Sequence, residues 1–212
     1  NWNDGALEAS DDAHERNIDD VGFIEKVIDD VSARYSVDQS RVYIAGISSG
    51  AAMAHRFAAE RSERVAAISA GMGGVPAFAL KEWQPLEPVS VMCFNGTDDP
   101  IMPYDGGEAR LSVTRELYGV VGSVKETMTF WRKHNECAPS PAVFEMPDAD
   151  PDDGSRVTQK VWGNGLAGTE VVLFEIEGGG HTWPGGMLYL PEFFIGKPNW
   201  DINATEESWR FF

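Results

Sequence analysis

A serine between two glycines is the first candidate for chemistry in this chain. Residues Gly46–Gly50 read Gly-Ile-Ser-Ser-Gly and match the G-x-S-x-G pattern, in which a sharp turn from a strand into a helix exposes a serine hydroxyl. The pattern predicts Ser48 as a nucleophile and puts the backbone amide of Ser49 at the helix start, where it can stabilise an oxyanion. The alternative is an ordinary turn in which Ser48 or Ser49 caps the helix.

A serine hydroxyl becomes a nucleophile when a base lies within hydrogen-bond reach. His181 is the one histidine of four that lies in a loop just beyond a predicted strand. His55 and His134 fall within predicted helices, where a packing or surface role is expected, and His14 lies in an acidic stretch. We therefore predict His181 as the general base, with a structural loop histidine as the alternative.

The carboxylate that orients such a histidine should also follow a strand. Asp98 and Asp99 both meet this condition, because they come directly after an apolar run. Either one gives the chain order Ser, Asp, His, which α/β-hydrolases use and which the chymotrypsin and subtilisin types do not. The residues alone leave the choice between the two open.

Strands and helices alternate around these residues. Apolar residues at helical spacing predict helices, and short β-branched or aromatic runs predict strands. The predicted helices cover 17–35, 49–60, 123–134 and 203–212, and the predicted strands cover 41–45, 65–70, 89–95, 156–162 and 170–176. This alternation predicts an α/β fold with a mainly parallel sheet and with the three candidate residues in loops at its C-terminal edge.

Charge and hydropathy exclude several classes of function. Lys and Arg number 17 against 34 Asp and Glu, and the net charge of -17 would repel nucleic acid and anionic lipid surfaces. The longest uncharged run, 65–80, is interrupted by glycines and a proline and does not suit a membrane span. We therefore expect one globular domain over 1–212, without nucleic-acid or membrane partners.

The motifs together resemble the polyhydroxybutyrate-depolymerase-like esterases, a family related to feruloyl and acetylxylan esterases within the α/β-hydrolases. The resemblance rests, besides Gly46–Gly50, on blocks that occur in the family's order: Asp19–Ile24, Asn95–Tyr104, Gly179–Gly185 and Asn203–Phe212. It implies a three-layer α/β sandwich, a secreted or periplasmic enzyme acting on small or polymeric carboxylic esters, and no cofactor or metal. In the family's pattern the aspartate before proline is catalytic, which selects Asp99 over Asp98.

The chain departs from the family at two places. Nothing ahead of Asn17 resembles the further strands and the His-Gly segment that supply the family's second oxyanion amide, so we expect an N-terminally incomplete domain that associates with itself through an exposed sheet edge. The resemblance also implies that Cys137 has lost a partner cysteine, which the family carries where this chain reads Gly163-Asn164-Gly165. We expect Cys137 to be exposed or formerly paired, and Cys93 to be buried.

Two other functions remain open at the level of sequence. The same cleft could belong to a non-catalytic protein that holds an aromatic or sugar ligand with Trp183, which we also predict to contact substrate in the enzyme. The triad would equally serve a peptidase or a thioesterase, since only the substrate pocket separates these activities. Asp148, Asp150 and Asp152 weakly resemble a calcium loop, but the following positions do not fit, and an acidic solvated loop is the better interpretation.

Overall fold

The computed structural model describes residues 2–7, 9, 11–111 and 116–212. Its helices are α1 (Asp12–Glu15), α2 (Asp20–Arg34), α3 (Ser49–Glu60), α4 (Ala79–Glu82), α5 (Val124–His134), α6 (Glu192–Ile195) and α7 (Ala204–Phe211). Its strands are β1 (Tyr43–Ile47), β2 (Ala67–Gly71), β3 (Ser90–Gly96), β4 (Gly107–Arg110), β5 (Leu117–Val121), β6 (Ala142–Glu145), β7 (Arg156–Trp162) and β8 (Val171–Glu177). The predicted helices and strands are thereby confirmed to within a few residues. Among the described residues, no helix is both long and apolar enough to cross a bilayer.

The central sheet has six strands in the order β1-β2-β3-β8-β7-β6. The first four of these are mutually parallel, and β7 and β6 follow as antiparallel strands. A mixed α/β fold with a mainly parallel sheet is therefore confirmed. Because β1, β2, β3 and β8 run in one direction, the loops that follow them all leave from one edge of the sheet.

Side chains alternate between the two faces of the sheet, as strand geometry requires. On β3, Val91 and Cys93 enter a core shared with α2, α3 and α5, whereas Met92 and Phe94 enter a second core shared with α7. The sheet is thus covered by helices on both faces. This is the layered arrangement expected for a parallel sheet, which has no face available for water.

Helix α2 packs less fully than its sequence pattern predicts. Val21 is buried and Ile24 and Ile28 pack against the core, but Val31 is 41% and Tyr35 69% exposed. Strand β1 is also only half-buried. Among the described strands it pairs with β2 alone, which leaves its other side without a neighbouring strand.

Three strands were missed in the sequence. Strands β4 and β5 pair antiparallel in a separate two-stranded sheet, and β6 lies at the edge of the main sheet. All four residues of β6 are exposed. The strand therefore buries no face, and its sequence has no need of the apolar–polar alternation by which a half-buried strand is recognised. At the C-terminus α7 is confirmed, and its Trp209 is 78% exposed.

Candidate active site

The turn between β1 and α3 holds Ser48 in a strained backbone conformation. Its φ is 57° and its ψ is −122°, a region that residues other than glycine seldom adopt and that clusters at functional sites. The Ser48 N–H donates to the carbonyl of Gly71 over 2.9 Å, which fixes the turn to the end of β2. Ser48 occupies the N-cap position of α3, but its side chain makes no capping hydrogen bond there.

Two glycines make this turn possible. A Cβ atom on Gly46 would lie 2.2 Å from the carbonyl oxygen of Gly50, and one on Gly73 would lie 2.8 Å from the carbonyl oxygen of Ser48. Gly73 follows β2 and was not singled out in the sequence. At Gly50, by contrast, a Cβ atom would meet nothing within 4 Å.

Asp99 and His181 form a buried hydrogen-bonded pair. His181 Nδ1 lies 2.7 Å from Asp99 Oδ2, and each side chain is only 2% exposed. The other oxygen of Asp99 accepts the N–H groups of Ile101 and Met102 at 2.8 and 2.9 Å. Asp98 instead accepts the hydroxyl of Thr97, so the structure selects Asp99 as the partner of the histidine.

Close glycine contacts bring the loops of Asp99 and His181 together. A Cβ atom on Gly96 would lie 2.1 Å from the carbonyl oxygen of Gly179, and one on Gly180 would lie 2.4 Å from the Cα of Gly196. The Asp98 N–H donates to the Gly179 carbonyl over 3.0 Å, and the Gly180 N–H donates to that of Lys197 over 2.9 Å. These contacts make the glycine loop before His181 tightly turned.

Two further residues hold the backbone of His181 and were missed in the sequence. The hydroxyl of Tyr189 donates to the His181 carbonyl over 2.9 Å, and the carbonyl of Ile195 accepts the His181 N–H. Burial and the nearby charge of Asp99 raise the pKa of Tyr189 to about 12, so its hydroxyl remains a neutral donor. Both residues lie in the long segment between β8 and α7, whose sequence shows no strand pattern.

Ser48, Asp99 and His181 follow β1, β3 and β8, and all three therefore lie at the C-terminal edge of the parallel strands. The loop after His181 reaches back toward the serine, because the Trp183 ring lies against Gly71, whose carbonyl accepts the Ser48 N–H. Among the described contacts, Ser48 Oγ makes no hydrogen bond with His181. Such bonds are often long before substrate is bound.

Trp183 is held mainly by protein contacts. A Cβ atom on Gly71 would lie 2.6 Å from its ring, its centroid is 5.6 Å from that of Phe94, and its Nε1 donates to Thr205 Oγ1 over 3.0 Å. These contacts fasten the His181 loop to β2, β3 and α7. A contact between Trp183 and substrate stays a prediction.

A second pairing of a histidine with a possible nucleophile is chemically inert. His55 is fully buried and accepts the Trp131 Nε1–H at Nδ1 over 3.0 Å, while its Nε2 faces Cys93 Sγ at 3.9 Å. Burial lowers the pKa of His55 to about 3 and raises the pKa of the Cys93 thiol. Both groups therefore stay neutral, which confirms the packing role expected for His55 and the burial expected for Cys93.

Cys137 is also buried, at 5% exposure, so the expectation of an exposed thiol is wrong. A Cβ atom on Gly165 would lie 2.8 Å from its Sγ. The position named by the resemblance for a partner cysteine is therefore adjacent to Cys137 in space.

Three of the four acidic side chains in the 148–153 loop, those of Asp148, Asp150 and Asp153, are engaged within the protein. Asp148 pairs with Arg156 at 2.7 Å, and Asp153 accepts the N–H groups of Ser155 and Trp200. In the part of the chain that the structure describes, no three His, Cys, Asp or Glu side chains group as a metal site would require.

Comparison with known proteins points to esterases. The chain is 31% identical over 196 residues to a putative esterase, NocK, of Nocardia uniformis subsp. tsuyamanensis, a match that covers 91% of this chain and 56% of that protein. It is 26% identical over 179 residues to feruloyl esterase B of Piromyces equi, covering 80% of this chain and 30% of that protein. No family model matches.

Among solved structures, an acetyl xylan esterase from Aspergillus awamori shares the fold, with a TM-score of 0.52 and 12% identity over 90% of this chain and 66% of that one. These similarities support an esterase family of the α/β-hydrolase type for this chain, whereas the narrower likeness to polyhydroxybutyrate depolymerases is not confirmed. The chain spans about half the length of the first curated relative and a smaller share of the second.

Proposed function

We propose that this α/β-hydrolase chain is a serine esterase that cleaves carboxylic esters through an acyl-enzyme on Ser48. The observation that carries the proposal is the buried Asp99–His181 pair on the sheet edge that also bears the strained Ser48. The esterase names of the relatives support the same reaction class.

In the proposed mechanism Ser48 Oγ attacks the ester carbonyl while His181 Nε2 takes its proton. The tetrahedral intermediate collapses when the imidazolium returns that proton to the leaving alcohol, which leaves the acyl group on Ser48. A water molecule, deprotonated by His181, then attacks the acyl-enzyme, and the same proton restores Ser48 as the acid departs. Asp99 keeps a proton on Nδ1 and stabilises the imidazolium throughout, which leaves Nε2 free to act as the base.

The Ser49 amide is proposed as an oxyanion donor. It opens α3, and amides in the first turn of a helix have no acceptor within the helix. The aligned peptide dipoles of this 12-residue helix add a partial positive charge at the same end. A negative oxygen that develops beside Ser48 would therefore be stabilised where it forms.

The surroundings of His181 favour an ester with an apolar or aromatic acyl group. Met187, Tyr189 and Phe193 follow His181 in sequence and are 94%, 53% and 78% exposed. A cluster of exposed large apolar side chains is uncommon on a protein surface and typically marks a binding surface. We propose feruloyl, acetyl or hydroxyalkanoate esters, small or polymeric, as the substrate range.

We also propose that the enzyme is secreted or periplasmic, and that it associates with itself through β1. Of the described strands only β2 pairs with β1, so the other side of β1 presents free N–H and C=O groups to a second copy. Its mass in solution, measured by light scattering, tests the association.

A matched pair of serine variants tests the catalytic proposal. Ser48→Ala should lower kcat for p-nitrophenyl esters by about 10⁴-fold or more. Ser49→Ala keeps the backbone amide and should stay within about tenfold of wild type, because the proposed oxyanion donor is that amide and not the hydroxyl. A fluorophosphonate should add one mass equivalent to the wild type and none to Ser48→Ala.

Retention of most activity by Ser48→Ala would show that the nucleophile is a different residue. A panel of p-nitrophenyl, feruloyl and acetyl esters, polyester films and peptides then separates esterase from peptidase activity and identifies the preferred acyl group.

A further inference from the structure

Helix α5 separates two open clefts on the face of the sheet that also carries α3. The first cleft lies between α4 and α5, has a volume of about 1130 Å³, and is lined by Lys81, Trp83, Phe130 and Lys133 among others. The second lies between α5 and β7, has a volume of about 540 Å³, and is lined by Tyr104, Arg132, Lys160 and Trp162 among others. Asp105, Lys125 and Thr129 line both clefts, which we call the α5 clefts.

Unpaired cations gather in the α5 clefts. Outside the α5 clefts, arginines pair with nearby carboxylates, as Arg34 does with Asp30 and Arg64 with Asp29. By contrast, four cations of the clefts form no ion pair with any described carboxylate: Lys81, Lys125, Arg132 and Lys133. The chain as a whole has a net charge of -17. Within it, a group of cations without ion pairs forms a local site that attracts an anion.

Most carboxylates in the clefts are already engaged. Glu126 accepts the N–H and hydroxyl of Ser123 in the capping box of α5. Glu175 accepts Lys160 Nζ at 2.7 Å and also the hydroxyl of Tyr104, and these hydrogen bonds hold its pKa below the usual value despite burial. Counted over the lining of both clefts, the five cations Lys81, Lys125, Arg132, Lys133 and Lys160 face three carboxylates, those of Asp105, Glu126 and Glu175, so the net charge of the α5 clefts is positive.

Aromatic rings alternate with these cations. Trp83 and Phe130 are half-buried in the first cleft, and Tyr104 and Trp162 are half-buried in the second. Flat apolar rings in an open polar cleft suit a ligand that offers C–H faces between polar groups, as a sugar ring does. Lysine and arginine beside them suit carboxylates on that ligand.

We propose that the α5 clefts bind a carbohydrate chain that carries carboxylate groups, that is, a uronate-bearing glycan. Such a polymer carries at most one carboxylate per sugar, which the local cations can pair with. Nucleic acid carries a denser negative charge, and the acidic remainder of the protein would repel it. At physiological salt, charges beyond about 8 Å are largely screened, so the neighbouring cations dominate binding.

The second cleft extends to the C-terminal end of β8, the strand that His181 follows, because Glu175 lines it. The turn that begins at Asp99 continues to Tyr104 and Asp105, which line the clefts, and the Tyr104 carbonyl accepts the first amide of α5, that of Val124, over 2.9 Å. A glycan in the clefts would therefore be held near the sheet edge that carries Ser48. That the glycan carries the scissile ester rests on the proposed esterase function, whereas the binding itself does not.

Calorimetry with the Ser48→Ala protein tests the binding apart from catalysis. The probes are an oligogalacturonate of about six sugars and the same oligosaccharide with its carboxyl groups reduced to alcohols. We expect the acidic form to bind more tightly than the reduced form, and its affinity to fall as salt rises. Lys125→Gln together with Arg132→Gln should weaken binding about 5–20-fold, since each exposed charge pair contributes a modest factor.

Lys26→Gln is the matched control, because Lys26 is an exposed lysine on α2, away from the clefts, with no ion pair among the described residues. It should leave the affinity for oligogalacturonate unchanged. The Lys125→Gln/Arg132→Gln exchange, made in the protein with Ser48 intact, should leave turnover of p-nitrophenyl acetate unchanged, since neither residue belongs to the candidate active site.

Equal binding of the acidic and reduced oligosaccharides, or no effect of the double exchange, would overturn the proposal. Tighter binding of single-stranded DNA or of anionic lipid vesicles would overturn it in favour of another polyanion. A wild-type protein that binds oligogalacturonate but turns over no ester would disprove the proposed esterase function and leave this site standing.

Discussion

His181 Nδ1 lies 2.7 Å from Asp99 Oδ2, and the second oxygen of Asp99 is held by two backbone amides at 2.8 and 2.9 Å. With all three bonds in place the carboxylate cannot turn, and its negative charge faces the imidazole. The proton of neutral His181 is therefore held on Nδ1, and Nε2 is left as an acceptor. A histidine fixed in this tautomer can take a proton from a serine as soon as substrate aligns the two.

Replacement of Asp99 tests this relationship. Asp99→Asn keeps the size of the side chain but offers an amide that can hold the wrong tautomer and cannot stabilise the imidazolium. We expect kcat to fall by about 10³–10⁴-fold with little change in thermal stability. Asp98→Asn is the control, because Asp98 contacts Thr97 and not His181, and it should keep nearly full activity.

An Asp99→Asn enzyme with wild-type kcat would separate His181 from the chemistry. If Asp99→Asn instead melted so far below wild type that unfolding accounted for the lost activity, Asp99 would have a structural role. Circular dichroism melts of both aspartate variants distinguish these outcomes.

Close glycine contacts help to hold the Asp99 and His181 loops together, and they can be tested separately from the Asp99–His181 hydrogen bond. Gly180→Ala adds a Cβ atom 2.4 Å from the Gly196 backbone, in a site with no room for it. We expect a loss of about 1–3 kcal/mol in the free energy of unfolding, and a fall in kcat because His181 is displaced. Denaturant titration and ester assays measure the two effects.

Gly50→Ala is the matched control for that exchange. It lies within α3 and its new Cβ atom would meet nothing within 4 Å. Because alanine favours a helix over glycine, we expect a gain of about 0.5–1 kcal/mol and unchanged activity. If both variants behaved alike, the packing of Gly180 would not be what positions the histidine.

Sequence patterns predicted the parts of the site that follow strand ends. Ser48 lies between a β-branched run and an alanine-rich helix, and Asp99 and His181 each follow an apolar run, so their common edge follows from the parallel direction of the strands. The choice between Asp98 and Asp99 required either the family resemblance or the observed contact. No periodicity distinguishes two adjacent aspartates in a turn.

The remainder of the site could not be read from local patterns, because it depends on contacts between distant segments. Gly180 meets Gly196, and Tyr189 reaches the His181 carbonyl, across loops without regular structure. The α2 pattern overstated burial for a related reason. Apolar spacing indicates which face of a helix could pack, but whether Val31 meets a partner depends on the neighbouring elements.

A buried charge cluster near the N-terminus predicts a dependence of stability on pH. His14 lies 3.1 Å from Asp4 and 2.7 Å from Asp11, with 8% of its side chain exposed. The hydrogen bond to Asp4, helped by that to Asp11, raises the pKa of His14 against the opposing effect of burial. A raised pKa in the folded state stabilises the protein fully below the unfolded value, and the contribution disappears as pH rises through the folded value.

We therefore expect wild type to melt about 3–5 °C above His14→Gln near pH 6, where a charged hydrogen bond contributes about 1–2 kcal/mol. The difference should shrink toward pH 9, as His14 loses its proton. Melting curves of both proteins at several pH values measure it. A difference that grew with pH would contradict the assigned charge of His14.

Cys137 and Gly165 offer a final test, because the structure places them as neighbours and only Cys137 of the two carries a thiol. A Cβ atom on Gly165 would lie 2.8 Å from Cys137 Sγ, but also 2.6 Å from the Thr169 carbonyl oxygen. Gly165→Cys should therefore form a disulfide with Cys137 at some cost in crowding. A loop of this length predicts a stabilisation of about 3 kcal/mol before strain, so the oxidised variant should melt roughly 3–10 °C above its reduced form.

Two controls separate the bond from its surroundings. Gly165→Ser adds the same crowding without a sulfur, and should melt below wild type with or without reductant. Gly163→Cys places a thiol where a Cβ atom meets nothing within 4 Å, and should leave the thiols of residues 137 and 163 unoxidised, so that a maleimide labels both once the protein is denatured. Free thiols in Gly165→Cys under oxidising conditions would show that the segment 163–165 lies further from Cys137 than the structure has it, and would remove the geometric support for a lost cysteine partner.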